Sequence, residues 1–231
     1  MNILTLRDLT KVYGKGETAT TAVDHMNLEV EKGQFLSIVG TSGSGKSTLL
    51  HLIGGVDSPT EGEVILDGDN IYQLTDSKRS VLRRRKIGFI FQQYNLIPVL
   101  TVEENIKMPL LLDGNKIEQA KIDGIMEKLG LTERKNHLPN QLSGGQQQRV
   151  AIGRALANEP SIIIADEPTG NLDKKNSEEV MELLCKCVKE QGQTLILVTH
   201  EPDIAAMSDR IIHIEDGKII SDTACNNEAV N

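Results

Sequence analysis

The chain has 231 residues, 39% hydrophobic and 25% charged, with 20 glycines and 7 prolines; this fits one large folded domain or two small ones and excludes disordered, collagen-like and disulfide-scaffold chains. A net charge of −8 and only 3% aromatic residues disfavour a broad nucleic-acid surface of basic and stacking side chains. No apolar run approaches the ~18 to 20 residues of a membrane span, and the alternating start Met1–Asp8 lacks the order of a signal peptide, so a cytoplasmic protein is expected.

Taken in chain order, Phe35–Val39 reads as a short buried strand, a glycine-rich loop follows, and a helix occupies Ser47–Ile53. Val64–Leu66 is a strand ending in the Asp67-Gly68 turn, and Ile87–Phe91 is another strand. The first ninety residues are therefore read as strand-rich with one helix, and the basic cluster of Lys78, Arg79 and Arg83–Lys86 as a solvated helix face.

From Gln92 to Ala157 the pattern turns helical. Thr101, with Glu104 three residues on, has the form of a capping box. Ile122, Ile125, Met126 and Leu129 form one stripe of a helix predicted over Asn115–Leu129 and stopped by Gly130, and a third helix begins near Ser143. Strand and helix then alternate: Ile162–Ala165, a helix to Glu190, Thr194–Thr199, a short helix and a hairpin at Asp216-Gly217. Such alternation predicts parallel strands with helices on the sheet faces. Three cysteines suit a reducing compartment; Cys187 falls on the stripe of Val180, Leu184 and Val188 as a small core hydrophobe, and neither a disulfide nor a metal site is supported. The terminal Asn226–Asn231 is expected to fray.

Gly40-Thr41-Ser42-Gly43-Ser44-Gly45-Lys46-Ser47 matches G-x-x-x-x-G-K-[ST] between a predicted strand and a predicted helix, the setting of a phosphate-binding loop. Its N–H groups, extended to Thr48, can wrap phosphate oxygens with help from the helix dipole. Lys46 bridges β- and γ-oxygens, and the Ser47 hydroxyl can ligate Mg2+. Ile162–Ala165 ends at Asp166-Glu167. Adjacent carboxylates closing a buried strand are costly unless they meet a cation or water. Standing alone the pair could equally be an acidic exit from a strand. Beside the phosphate loop, Asp166 suits a Mg2+ hydration shell and Glu167 a base for an attacking water.

Leu142-Ser143-Gly144-Gly145-Gln146 reads locally as a helix start, with Ser143 as a candidate N-cap and two glycines that leave room for phosphate. With this sequence the chain resembles the ATP-binding cassette (ABC) ATPases, whose signature loop it matches, and the resemblance covers nearly all of its length. It implies one ABC ATPase domain of α/β class: a P-loop NTPase core with mainly parallel sheet and an N-terminal antiparallel β subdomain over residues 1–91 and 158–231, and an inserted α-helical subdomain over 92–157. The runs Gln146–Arg149, Pro168–Asp173 and Phe91–Pro98 resemble the branch of lipoprotein-release, macrolide-export and antimicrobial-peptide-resistance ATPases.

The resemblance gives further residues roles. Tyr13 becomes the aromatic that stacks on adenine, with a strand-end tyrosine as the alternative. Gln92, with Gln93 adjacent, becomes the glutamine that contacts Mg2+ and water; His200 becomes the histidine at the γ-phosphate. Asn171-Leu172-Asp173 resembles the loop between subunits, although Asp173 could equally cap a helix. Ser143, Gly144, Gly145 and Gln146 would complete the nucleotide site of a second subunit. The resemblance thus implies an ATP- and Mg2+-dependent ATPase that closes as a head-to-tail pair around two nucleotides. It would act from the inner face of the membrane on separate transmembrane permease subunits, exporting or extracting peptides, lipoproteins or hydrophobic drugs, with no direct nucleic-acid partner. Leu96–Leu100 is a candidate permease contact, with core packing as the equal alternative. The alternative function is a soluble ABC ATPase serving a cytosolic assembly scaffold.

Overall fold

The computed structural model describes residues 1–114 and 116–225; the predicted helix start at Asn115 and the terminal Asn226–Asn231 lie outside the described residues. In chain order the elements are β1 (Asn2–Tyr13), β2 (Thr20–Glu31), β3 (Phe35–Val39), α1 (Lys46–Ile53), β4 (Glu61–Leu66), β5 (Asp69–Asn70), α2 (Asp76–Lys86), β6 (Ile87–Phe91) and α3 (Val102–Leu112). They continue as α4 (Gln119–Lys128), α5 (Gly144–Leu156), β7 (Ile162–Asp166), α6 (Lys174–Glu190), β8 (Thr194–Val198), α7 (Pro202–Ala205), β9 (Arg210–Glu215) and β10 (Lys218–Ala224). The class is α/β, with an antiparallel N-terminal sheet, parallel strands and a helical insertion. Two compact units result, Met1–Leu82 with Thr194–Asn231, and Arg83–Gln193.

The first unit holds two sheets. One is antiparallel, ordered β2-β1-β4-β5, and buries Leu4, Leu6, Leu9, Val30 and Leu66. Asp8 and His25 adopt φ of 47° and 48°, and the β1–β2 register shifts between Leu6 and Leu9, so the strict alternation of a flat strand is broken by bulges. In the other sheet β3 runs parallel to both β8 and β9, and β10 closes a hairpin on β9. Every residue of β8 is buried, and after Thr194 the run is wholly apolar, as expected of a strand covered on both faces.

The second unit pairs β6 parallel to β7 and carries α3, α4, α5 and α6. Thr101 caps α3 through the full capping box with Glu104. Ile106 of α3 and Leu129, at the end of α4, both lie against Gly153 of α5. On α6, Val180, Met181, Leu184, Cys187 and Val188 are buried, one stripe at helical spacing.

Two sequence expectations are corrected. α4 starts at Gln119, because Glu118 is still extended (φ −84°, ψ 106°). The first ninety residues contain a second helix, α2, of which Leu82 is the one buried residue, so it offers no apolar stripe. Its basic cluster is not wholly solvated either: Arg84 and Arg85 both bond Asp113, at 2.8 and 2.9 Å.

Candidate functional site

In the first unit, β3 delivers the chain into the glycine loop and α1 carries it away. Gly45 caps α1 at φ 102°, and a Cβ there would stand 2.0 Å from the carbonyl oxygen of Ala22, so glycine alone fits. The loop is held from outside by Gly217, whose N–H donates to the Ser44 carbonyl at 3.0 Å. Lys46 is 8% exposed, and its ammonium donates to the carbonyls of Gly40 (2.9 Å) and Thr41 (2.7 Å). The lysine thus curls over its own loop. Thr41, Ser42, Gly43 and Ser47 are exposed and Gly40 and Thr48 half-buried; the Ser44 hydroxyl is buried without a partner. The N–H groups opening α1 and the adjacent cation form a cradle for an anion.

The register pairs Ile38 with Val198, and the Thr199 N–H reaches the Ile38 carbonyl. Gly40 and His200 therefore leave the C-terminal edge of neighbouring parallel strands, where open α/β sheets bind ligands. His200 is exposed, and the residues flanking it are joined by a bond from the Glu201 N–H to Thr199 Oγ1. Tyr13 ends β1, and its hydroxyl donates to Asp57 Oδ2 at 2.7 Å.

In the second unit the register pairs Phe91 with Asp166, so Gln92 and Glu167 leave β6 and β7 side by side. Asp166 and Glu167 are half-buried. Glu167 sits at φ 45°, a left-handed conformation that costs about 1–3 kcal/mol in a non-glycine residue and gathers at functional sites. Its carbonyl accepts the Gly170 N–H at 3.1 Å, turning the chain back over Gln92. The Asn171 side chain donates to the Gln92 carbonyl at 2.7 Å, and a Cβ on Gly170 would meet Gln92 Nε2 at 2.6 Å.

Ser143 caps α5: its Oγ accepts the Gln146 N–H (3.3 Å) while Gln146 Oε1 accepts the Ser143 N–H (3.0 Å). Of this loop's main-chain donors, those of Gly144 and Gly145 lie outside the capping box. A side chain at Gly144 would meet the Tyr94 hydroxyl at 2.9 Å and Leu172 at 3.3 Å, and one at Gly145 would meet Asn176 at 3.2 Å. Asp173 caps α6 by accepting the Asn176 N–H at 3.0 Å, so the local role anticipated for it is filled.

A phosphate cradle, carboxylates closing a parallel strand and a glycine-opened helix recur together in one family, and the family model described as ABC transporter matches residues 23–170. The chain belongs to the ABC transporter ATPases. An uncharacterized ABC transporter ATP-binding protein of Methanocaldococcus jannaschii, MJ0796, is 48% identical over 94% of this chain and 95% of its own. The macrolide export ATP-binding/permease protein MacB of Hyphomonas neptunium is 46% identical over 96% of this chain, which matches 34% of that larger protein. Among solved structures, the dimeric post-hydrolysis state of the MJ0796 cassette bound to ADP and Pi superposes with a TM-score of 0.88 at 44% identity, covering 96% of this chain and 99% of that one. The fold is that of the ABC ATPases.

Within this ABC cassette the structure adds residues that the motifs do not name. Tyr94 and Asn95 follow Gln92 at φ 55° and 48°, and Arg154 of α5 holds their carbonyls. Lys11 and Asp57 surround Tyr13; the i, i+2 spacing of Lys11 and Tyr13, which places them on one strand face, was the available signal. Among the described residues no three His, Cys, Asp or Glu side chains gather as a metal site. In the first unit the Ser47 hydroxyl, and in the second the Gln92 amide and the Asp166 carboxylate, are each hard oxygen donors, the type suited to Mg2+. Among the described residues, too, no helix is long and apolar enough to cross a membrane.

Proposed function

We propose that the chain is the ATP-hydrolysing subunit of an ABC transporter, with its helical segment, residues 92–157, facing a separate transmembrane permease. The observation that carries the chemistry is the register of Phe91 with Asp166, which sets Gln92 beside Glu167. The loop Gly40–Thr48 holds the phosphates through main-chain N–H groups and Lys46, and Tyr13 stacks on the base. Ser47, Gln92 and Asp166 would hold Mg2+, which when bound would neutralise phosphate charge. Glu167 accepts a proton from water as its oxygen bonds to the γ-phosphorus and the bond from that phosphorus to the bridging oxygen breaks; His200 steadies the γ-phosphate.

Ser143, Gly144, Gly145 and Gln146 close the site of a second subunit. The dimeric MJ0796 cassette supports a head-to-tail pair, joined while ATP bridges both subunits and parted when products bridge them poorly. MacB, a macrolide export ATP-binding/permease protein, supports a membrane partner and export; in this reading the cargo exported or extracted is peptides, lipoproteins or hydrophobic drugs. The candidate contact Leu96–Leu100 also supports a membrane partner, since its Val99 is 79% exposed; Leu111 and Leu112 are exposed at the end of α3. In this reading the chain works peripherally on the inner face of the membrane.

The test is affinity purification of tagged Glu167→Gln protein with MgATP from detergent-solubilised native membranes. A co-eluting polytopic permease is expected. Recovery of soluble proteins alone would move the function to a cytosolic assembly scaffold.

A further inference from the structure

Tyr13 is 42% exposed, yet its ring is fixed on one side and at its tip. Lys11 Nζ stands 4.7 Å from the ring centroid, and the same ammonium bonds Asp57 Oδ1 (2.8 Å) and the Ser58 carbonyl (2.6 Å). Asp57 also takes the Tyr13 hydroxyl on its other oxygen at 2.7 Å. The three side chains form a closed triangle: carboxylate to ammonium, ammonium to ring face, ring hydroxyl to carboxylate. The Lys11 side chain is only 13% exposed, so its contact with the ring is more than a passing surface encounter.

The triangle is tied to the helix that opens at the phosphate loop. At the C-terminal end of α1 the Asp57 N–H reaches the His51 carbonyl, and the Tyr72 hydroxyl lies within hydrogen-bond reach of both the Leu52 and the Asp57 carbonyls. The C-terminal end of α1 therefore holds Asp57 and, through it, the ring. A strand-end tyrosine left to itself would sample several rotamers; this one is held by Asp57 and Lys11.

We infer that Lys11 and Asp57 are positioning residues for nucleotide recognition: they present one face of the Tyr13 ring to a purine base while the Lys11 ammonium covers the other. The cation draws the ring's π density toward itself, leaving the opposite face better matched to an electron-rich purine. Nucleotide and phosphate recognition thereby share one rigid reference, α1. This rests on the reading of Tyr13 as the adenine platform.

The test is equilibrium calorimetry of the whole chain, titrating MgATP and, separately, inorganic tripolyphosphate into wild type, Tyr13→Ala, Tyr13→Phe, Lys11→Met and Asp57→Asn. Tyr13→Ala is expected to weaken ATP about tenfold or more, the size of one lost base stack, and to leave tripolyphosphate unchanged. Lys11→Met and Asp57→Asn are expected to weaken ATP about three- to tenfold, again with tripolyphosphate unchanged, and Tyr13→Phe to lie between these and wild type. ATP binding unchanged in Tyr13→Ala would refute the platform reading itself. Weakened binding in Tyr13→Ala with wild-type binding in Lys11→Met and Asp57→Asn would overturn the positioning role alone. Equal loss of both ligands in those two variants would also overturn it, because the residues would then act on the phosphate loop and not on the base.

Discussion

Arg154, on the helix that begins at the signature glycines, donates from Nη2 to the carbonyl of Tyr94 at 2.8 Å. Its other terminal nitrogen takes the Asn95 carbonyl. Both acceptors sit in left-handed backbone, which non-glycine residues keep only when their surroundings hold them. Arg154→Leu should cost about 1–3 kcal/mol by leaving carbonyls unpaired, and should deprotect the amides of residues 92–96 in hydrogen exchange. With the loop that follows Gln92 loosened, kcat should fall more than KM rises. Arg154→Lys, which can replace one of the two bonds, should recover part of the loss. Unchanged protection in Arg154→Leu would show that the loop keeps its shape without the arginine.

The signature loop and Tyr94 are also in steric contact. Gly144→Ala should destabilise the cassette, because its methyl would stand 2.9 Å from the Tyr94 hydroxyl. Removing that hydroxyl in Tyr94→Phe leaves the ring carbon at 3.9 Å and Leu172 at 3.3 Å as the nearest neighbour, so the same alanine should be better tolerated there. A double-mutant cycle by urea denaturation should give a coupling of about 1 kcal/mol or more. Additive effects would mean that the ring swings aside freely.

Lys46→Ala should weaken MgATP binding about tenfold to a hundredfold, the loss of charge-assisted hydrogen bonds to phosphate, and should abolish turnover. Fluorescent-nucleotide titration reads the first effect and phosphate release the second. Wild-type affinity would count against the phosphate-loop assignment.

The cap of α6 predicts a pH dependence. The Asn176 N–H, and then its side-chain amide, hold the Asp173 carboxyl below its ordinary value. A depressed carboxyl stabilises the fold fully above the unfolded value, about 3.9, and loses that contribution as pH falls through the lower folded value. Asp173→Asn keeps an acceptor oxygen but does not titrate, so its deficit against wild type in urea midpoint should be constant from pH 7 to 5 and shrink below pH 4. A deficit unchanged down to pH 3 would show that the charge contributes nothing.

Much of this cassette is legible in its sequence because the chemistry sits at the ends of strands that declare themselves. Ile162–Ala165 and Leu195–Val198 are uninterrupted apolar runs, Phe35–Val39 is broken only by Ser37, and Gly40, Asp166 and His200 follow them at once or one residue later. The capping pairs Thr101 with Glu104 and Ser143 with Gln146 are local, three residues apart, and equally readable. What escaped is set by distance or by exposure. Arg154 meets Tyr94 across sixty positions, and Asp57 meets Tyr13 across forty-four, with no local pattern to announce either pair. α2 buries only Leu82, so periodicity had nothing to register, and the bulges at Asp8 and His25 blur the alternation of β1 and β2.

The central claim is that Glu167 drives hydrolysis in a dimer closed by ATP. Its most direct test is Glu167→Gln with MgATP, followed by light scattering coupled to gel filtration and by phosphate release. Binding should persist, hydrolysis should fall by about 10²–10⁴-fold as expected for loss of a general base, and the protein should elute at twice its monomer mass only when ATP is present. A variant that hydrolyses ATP at the wild-type rate, or that stays monomeric with ATP bound, would contradict the account.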